Sequence, residues 1–123
     1  MIHGVVNVRH EAVVCLKVRG PGMVISDVDV IVDSGFTSAL TLPMTTISSL
    51  GLVRQSSSAA LLADGSVQQF DVFAAEVEWG GVWRTVLVSA IGSEPLMGMR
   101  LLTGHKLEIE VTPNGLVEIT PLP

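Results

Sequence analysis

Turn-forming residues interrupt this chain so often that no long regular helix can be written into it. Gly, Pro, Asn and Asp recur between short runs in which Val, Ile and Leu predominate, as in a small β-sheet that is closed or partly closed. Gly4 to Val8 and Ala12 to Val18 are expected to form a hairpin, followed by a turn at Arg19-Gly20-Pro21-Gly22. Met23 to Asp33 reads as a strand, and its Asp27-Val28-Asp29-Val30 alternation gives it one wet face. Ala39 to Pro43 reads as a strand ended by proline, and Met44 to Leu50 as a short helix closed by Gly51. Asp64-Gly65 suits the tight turn of a hairpin over Ala59 to Val67, because both residue types tolerate the positive φ such turns require. A second hairpin is expected to turn at Gly80-Gly81, between Val72 to Trp79 and Val82 to Ala90. Met99 to Thr103 reads as another short helix ended by Gly104, and Lys106 to Val111 with Leu116 to Thr120 as a closing hairpin around Pro113-Asn114-Gly115. With no linker, low-complexity tract or repeat in its 123 residues, the chain is expected to be one all-β domain spanning 1–123, with one or two short helices.

Composition narrows the partners. Hydrophobic residues make up 48% and charged residues 15%, more apolar surface than a small monomer readily buries, which favours an oligomer. A formal charge of -5 with seven scattered Lys and Arg argues against nucleic acid, whose phosphates draw on clustered cations. Cys15 is the only cysteine, so one chain can form neither a disulfide nor a Cys-based zinc site, and a reducing cytoplasmic location is the matching expectation. The first residues lack a basic start followed by a continuous apolar run, so no signal peptide is expected. Ser34 to Val53 carries no charge, but Gly35, Pro43, Gly51 and many hydroxyl side chains make it a poor membrane span.

The chemistry concentrates in Val30-Ile31-Val32-Asp33-Ser34-Gly35-Phe36-Thr37, an apolar strand that delivers one carboxylate into a Ser-Gly turn. The Asp64-Gly65 hairpin follows, and then the apolar-apolar-Gly segment Leu96-Met97-Gly98. These landmarks, in this order across about residues 12 to 120, resemble the single-domain retropepsin-like aspartic proteases. The resemblance implies a small closed barrel-like acid protease fold and a homodimer in which Asp33 of each protomer forms a catalytic pair. It implies that Ser34 and Gly35 support the active-site loops, and that Phe36, Thr37 and Ser38 lie where substrate binds. Ala63, Asp64, Gly65 and Ser66 correspond to a mobile flap over a peptide substrate. No cofactor or metal is implied. Phe36 departs from the small residue typical of viral members, which bears on the shape of the cleft.

Other readings stay beside this one. A peptide-binding or assembly module with the same fold and no catalysis is the alternative, since fold does not fix function. Asp27, Asp29 and Asp33 share strand parity, but a row of solvated carboxylates explains them better than a cation site does. His3, His10 and His105 have no metal-ligand spacing and are expected at the surface or in packing. Trp79 and Trp83 flank Gly80-Gly81, where they can pair across the hairpin, and are expected in core or interface packing rather than as a ligand platform. Segments near Met1 to Val8 and Leu116 to Thr120 are expected to contribute to the dimer interface.

Overall fold

Side chains alternate between interior and solvent along Ala12–Arg19, where Ala12, Val14, Leu16 and Val18 are buried. That period of two commits the segment to a strand with one dry face. The same logic, interrupted by turns, yields the ten strands of the computed structural model, which describes Met1 to Pro123. They are β1 (Ile2–Val6), β2 (Ala12–Arg19), β3 (Ile25–Val32), β4 (Leu40–Thr41), β5 (Val53–Leu61), β6 (Val67–Trp79), β7 (Val82–Ser89), β8 (Leu96–Met97), β9 (His105–Ile109) and β10 (Leu116–Pro121). One helix, α1 (Met44–Leu50), follows β4. Pro43 opens it, the carbonyl accepting the N–H groups of Thr46 and Ile47, and Gly51 closes it at φ 64°, a left-handed conformation that glycine adopts without steric cost.

The sheet runs β5-β6-β7-β4-β8-β3-β2-β1-β10-β9, and β6 also pairs with β2 through Val18↔Val77 and Arg19↔Glu76. That extra pairing closes β2, β3, β8, β4, β7 and β6 into a barrel-like ring. One edge of β2 is therefore shared: Ala12 and Val13 pair with β1, and its last two residues pair with β6. A single apolar cluster fills the interior, drawing Val14, Leu16 and Val30 from one wall, Val77 and Val88 from the other, and Ile47 and Leu50 from the helix. No helix is long and apolar enough to cross a membrane. The uncharged stretch from Ser34 to Val53 divides instead into a loop, β4 and α1.

Several expectations need correction. Met99 to Thr103 is not a helix but a run of turns, in which Leu101 N–H bonds to Gly98 C=O and Thr103 N–H to Arg100 C=O. Met99 and Arg100 spend their N–H groups on the Phe36 and Ser38 carbonyls, so tertiary bonds displace the helical ladder. The first strand ends at Val6 because Asn7 folds the chain back, its side-chain oxygen accepting the N–H groups of Arg9 and Glu11. β6 runs unbroken from Val67 to Trp79, since no Gly or Pro divides it, so the two expected hairpins share one long strand. Trp79 and Trp83 do not pair. Across the turn Trp79 faces Val82 and Trp83 faces Glu78, and Trp83 lies beneath the Arg19 guanidinium at 4.0 Å.

The terminal segments pair with each other within the chain. β10 lies between β1 and β9, while β1 pairs with β10 from Ile2 to Val5 and with β2 only at Val5 and Val6. On their outer face Val5 and Leu116 are exposed. Trp79 secures the start of β9: its indole N–H donates to Nε2 of His105 at 3.2 Å, and the rings meet edge to face. With Nε2 accepting, Nδ1 carries the proton and donates to the Thr103 carbonyl at 3.0 Å. His105→Ala should therefore destabilise the protein by about 1–3 kcal/mol, the cost of a buried donor left unpaired, while His105→Gln should recover part of that loss. Urea unfolding of the three proteins measures the difference.

Candidate active site

β3 ends at Val32, and the chain passes directly into Asp33, whose N–H donates to the Met97 carbonyl at 2.9 Å. This bond continues the parallel pairing of β3 with β8, Ile31↔Leu96 and Val32↔Met97, one residue beyond the strand. Asp33 is thus held at the rim of the ring rather than on a free loop. Its Oδ1 accepts the Gly35 N–H at 2.9 Å, and its carbonyl accepts the Phe36 N–H at 3.1 Å, so the Ser-Gly turn closes on the carboxylate. Asp33 is half-buried and Ser34 is exposed.

The loop is strapped to the segment after β8. Gly98 N–H donates to the Ala39 carbonyl, Met99 N–H to Phe36 and Arg100 N–H to Ser38. Gly98 has to be glycine: a Cβ there would collide with the Ser38 carbonyl oxygen and come within 2.6 Å of the Phe36 ring. Thr41 supplies a second tie, its buried hydroxyl donating to the Glu94 carbonyl and accepting the Leu96 N–H, both at 2.9 Å.

Above this floor lies an open cleft of about 670 Å³. Asp33, Gly35, Phe36, Thr37 and Ser38 line it, together with Thr41, Ser89 and Leu96, and its opposite wall is the stretch Ser58 to Leu61 with Phe70. A smaller hollow of about 310 Å³ lies around Arg19 and Glu76, but it contains no part of the Asp33 loop. At the tip of the β5–β6 hairpin, Leu62 N–H bonds to the Ser66 carbonyl and Gly65 takes a φ of 85°. Asp64 accepts both the hydroxyl and the N–H of Ser66, at 2.6 and 2.9 Å, and these bonds hold its carboxyl below the usual carboxylate range.

No family model and no curated protein sequence matches this chain. Solved structures do. A retropepsin-like aspartic protease from Rickettsia conorii superposes with a TM-score of 0.60 at 16% identity, covering 99% of this chain and 91% of its own. EIAV protease, complexed with the inhibitor HBY-793, superposes with a TM-score of 0.54 at 14% identity, covering 78% of this chain and 88% of its own. The fold is retropepsin-like.

Within the retropepsin-like fold, the expected loop residues Asp33, Gly35, Phe36, Thr37 and Ser38 do come together on one cleft, and Ser34 projects off it. Ala63, Asp64, Gly65 and Ser66 form the hairpin tip but do not line the cleft, whose upper wall starts a few residues back along both strands. Thr41, Phe70, Ser89 and Leu96 were not foreseen as lining residues. They sit on different strands: the Thr41↔Ser89 and Thr41↔Leu96 registers bring three of them side by side, and Phe70 enters from the opposite wall through its pairing with Ser58. Asp27 and Asp29 stay on the outer face of β3, opposite Lys17 and Cys15, and no group of three potential metal ligands forms. Slight desolvation, with the Asp29 and Asp27 carboxylates close by, pushes the thiol of the exposed Cys15 up.

Two outcomes follow. Gly98→Ala should cost about 3 kcal/mol of stability, because the clash is with backbone and cannot be relieved by a rotamer change; thermal unfolding measures it. The carboxyl of Asp64 is depressed on folding, so its contribution to the hairpin turn is present above the ordinary carboxylate pKa and disappears as pH falls through the lower, folded value. The Ser66 amide resonance should therefore titrate with a midpoint below 3.8, the ordinary Asp value, and Asp64→Asn should remove that transition.

Proposed function

We propose that this chain is an aspartic-type endopeptidase working as a homodimer, in which Asp33 from two protomers forms one catalytic pair. The observation that carries the reading is the setting of Asp33: a half-buried carboxylate, fixed at a strand end by its own turn, on the floor of a cleft roofed by a hairpin. One carboxylate is insufficient for the chemistry, because peptide hydrolysis by this route needs an acid and a base at once. A second copy supplies the missing group. Two carboxyls in hydrogen-bond range resist double ionisation, so the pair holds one proton and titrates as a unit. The ionised partner takes a proton from water as that water attacks the scissile carbonyl, and the protonated partner donates to the carbonyl oxygen.

The neighbouring residues have supporting roles under this reading. The exposed Ser34 hydroxyl is free to bond across the two loops, and the Gly35 N–H orients the Asp33 carboxylate. An extended peptide fits between the Thr37-Ser38 floor and the Ser58 to Leu61 wall, where its backbone can bond as an added strand would. The hairpin serves as the flap, its mobility excluding water on closure. Phe36 rests its ring against Gly98, so part of its bulk is taken up by packing instead of filling the cleft.

The test is hydrolysis of an unstructured peptide library by the purified protein, with light scattering on the same sample. Expected outcomes are a dimer mass, a bell-shaped rate profile on the acidic side of neutrality, and complete loss of hydrolysis in a folded Asp33→Asn variant. Retained cleavage by Asp33→Asn, or a rate that climbs steadily into alkaline pH, would remove the carboxylate pair from the mechanism. Peptide binding without hydrolysis by the native protein would instead support a binding or assembly module.

A further inference from the structure

A second hollow, of about 320 Å³, opens beside the cleft and shares Ser38, Ser58, Phe70 and Ser89 with it. Its walls carry an unusual density of hydroxyls, adding Ser56 and Ser57 to the three serines just named, and Arg100 stands at its margin. No acidic side chain lines it. Arg100 is held there by backbone bonding: its N–H donates to the Ser38 carbonyl at 3.3 Å, in the same strap that secures the Asp33 loop.

The guanidinium of Arg100 is also uncommitted. Lys17, Arg19, Arg54 and Lys106 are each in an ion pair, and Arg84 lies over the Trp79 ring. Arg9 and Arg100 have no such partner, and Arg9 is remote from the cleft, in the turn between β1 and β2. In a chain of net charge -5, an unpaired cation beside a hydroxyl-lined extension of the substrate cleft is a specific arrangement. Arginine presents a planar fork of donors that matches a carboxylate in two parallel hydrogen bonds, and serine hydroxyls can donate to the same oxygens.

We propose that this hollow is a specificity pocket for an acidic side chain, with Arg100 as the residue that reads a glutamate or aspartate of the bound peptide. The proposal rests on the cleft being a peptide-binding site, and it names the substrate class: extended peptides carrying a carboxylate side chain away from the scissile bond. An extended chain advances about 3.3 Å per residue with side chains on alternate sides, so a peptide lying along the cleft can direct one side chain into the hollow.

The test compares matched peptides carrying Glu, Gln or Lys at each position in turn, against the native protein, Arg100→Gln and Arg100→Glu, with Asp33→Asn as a non-hydrolysing form for binding by fluorescence anisotropy. At one position the native protein should prefer Glu by about tenfold, the effect of one charge-assisted hydrogen-bonded pair, with the difference in KM rather than kcat. Arg100→Gln should bring that ratio to about one, and Arg100→Glu should reverse it toward Lys. Asp33→Asn should bind with the same Glu preference, lost when combined with Arg100→Gln. Cleavage without a Glu preference, or a preference that survives Arg100→Gln, overturns the pocket and leaves the protease reading intact. Binding with an Arg100-dependent preference but no hydrolysis sustains the pocket and overturns the protease. Failure to bind any peptide overturns both.

Discussion

Everything near the candidate site depends on backbone hydrogen bonds between two segments far apart in the chain, the loop from Asp33 to Ala39 and the stretch from Pro95 to Arg100. β4 and β8 have two residues each, too few to be stable alone. They persist because β8 is inserted between β3 and β4, parallel to one and antiparallel to the other. The Asp33, Gly98, Met99 and Arg100 N–H groups then find partners across the join, and these bonds fix the backbone from which the Gly35 N–H orients the Asp33 carboxylate. A buried N–H without a partner would cost about 1–3 kcal/mol, so this join is as much a satisfaction of polar groups as a packing contact.

Rigidity is distributed unevenly around that join. The ring interior contains the fully buried Val14, Val30, Leu40, Val88 and Met97, immediately below the loop. β5, by contrast, is exposed along nearly its whole length and has a neighbour on one side only, with its pairing to β6 slipping between Arg54 and Ser56. Few buried apolar contacts and an irregular register give this hairpin a low local stability, in keeping with the flap role proposed for it. The site therefore joins a fixed floor to a compliant roof. Phe36 and Gly98 show how finely the floor is fitted, since one residue's ring occupies the space that the other's missing Cβ leaves.

The proposed dimer has to be compatible with chain termini that are already paired internally. β10 is paired on both sides, whereas β1 meets β2 only at Val5 and Val6, so the Ile2 to Gly4 edge, outer-face side chains and the active-site loops, with Ser34 exposed, are the surfaces open to association. Val5 and Leu116, neighbours across β1 and β10, put apolar surface on the outside of the sheet, in keeping with the high hydrophobic content of the chain.

Local chemistry was readable wherever one short segment contained all of it. Asp33-Ser34-Gly35 at the end of a Val-rich strand, Pro43 and Gly51 around α1, and the Asp64-Gly65 and Gly80-Gly81 turns each carry their own instruction, because strand period, capping and positive φ are set by adjacent residues. Met99 to Thr103 misled for the converse reason: its helical composition is a weak preference of a few tenths of a kcal/mol per residue, and N–H bonds to the Asp33 loop outweigh it. Tertiary structure alone decided the ring closure of β2 on β6, the seating of β8 between β3 and β4, the Trp79–His105 bond, the meeting of Thr41, Ser89 and Phe70 on the cleft, and the placing of Arg100 at the hollow beside it. Those contacts join residues distant in the chain whose side chains carry no mark of their partners, and only the register of the folded sheet selects them.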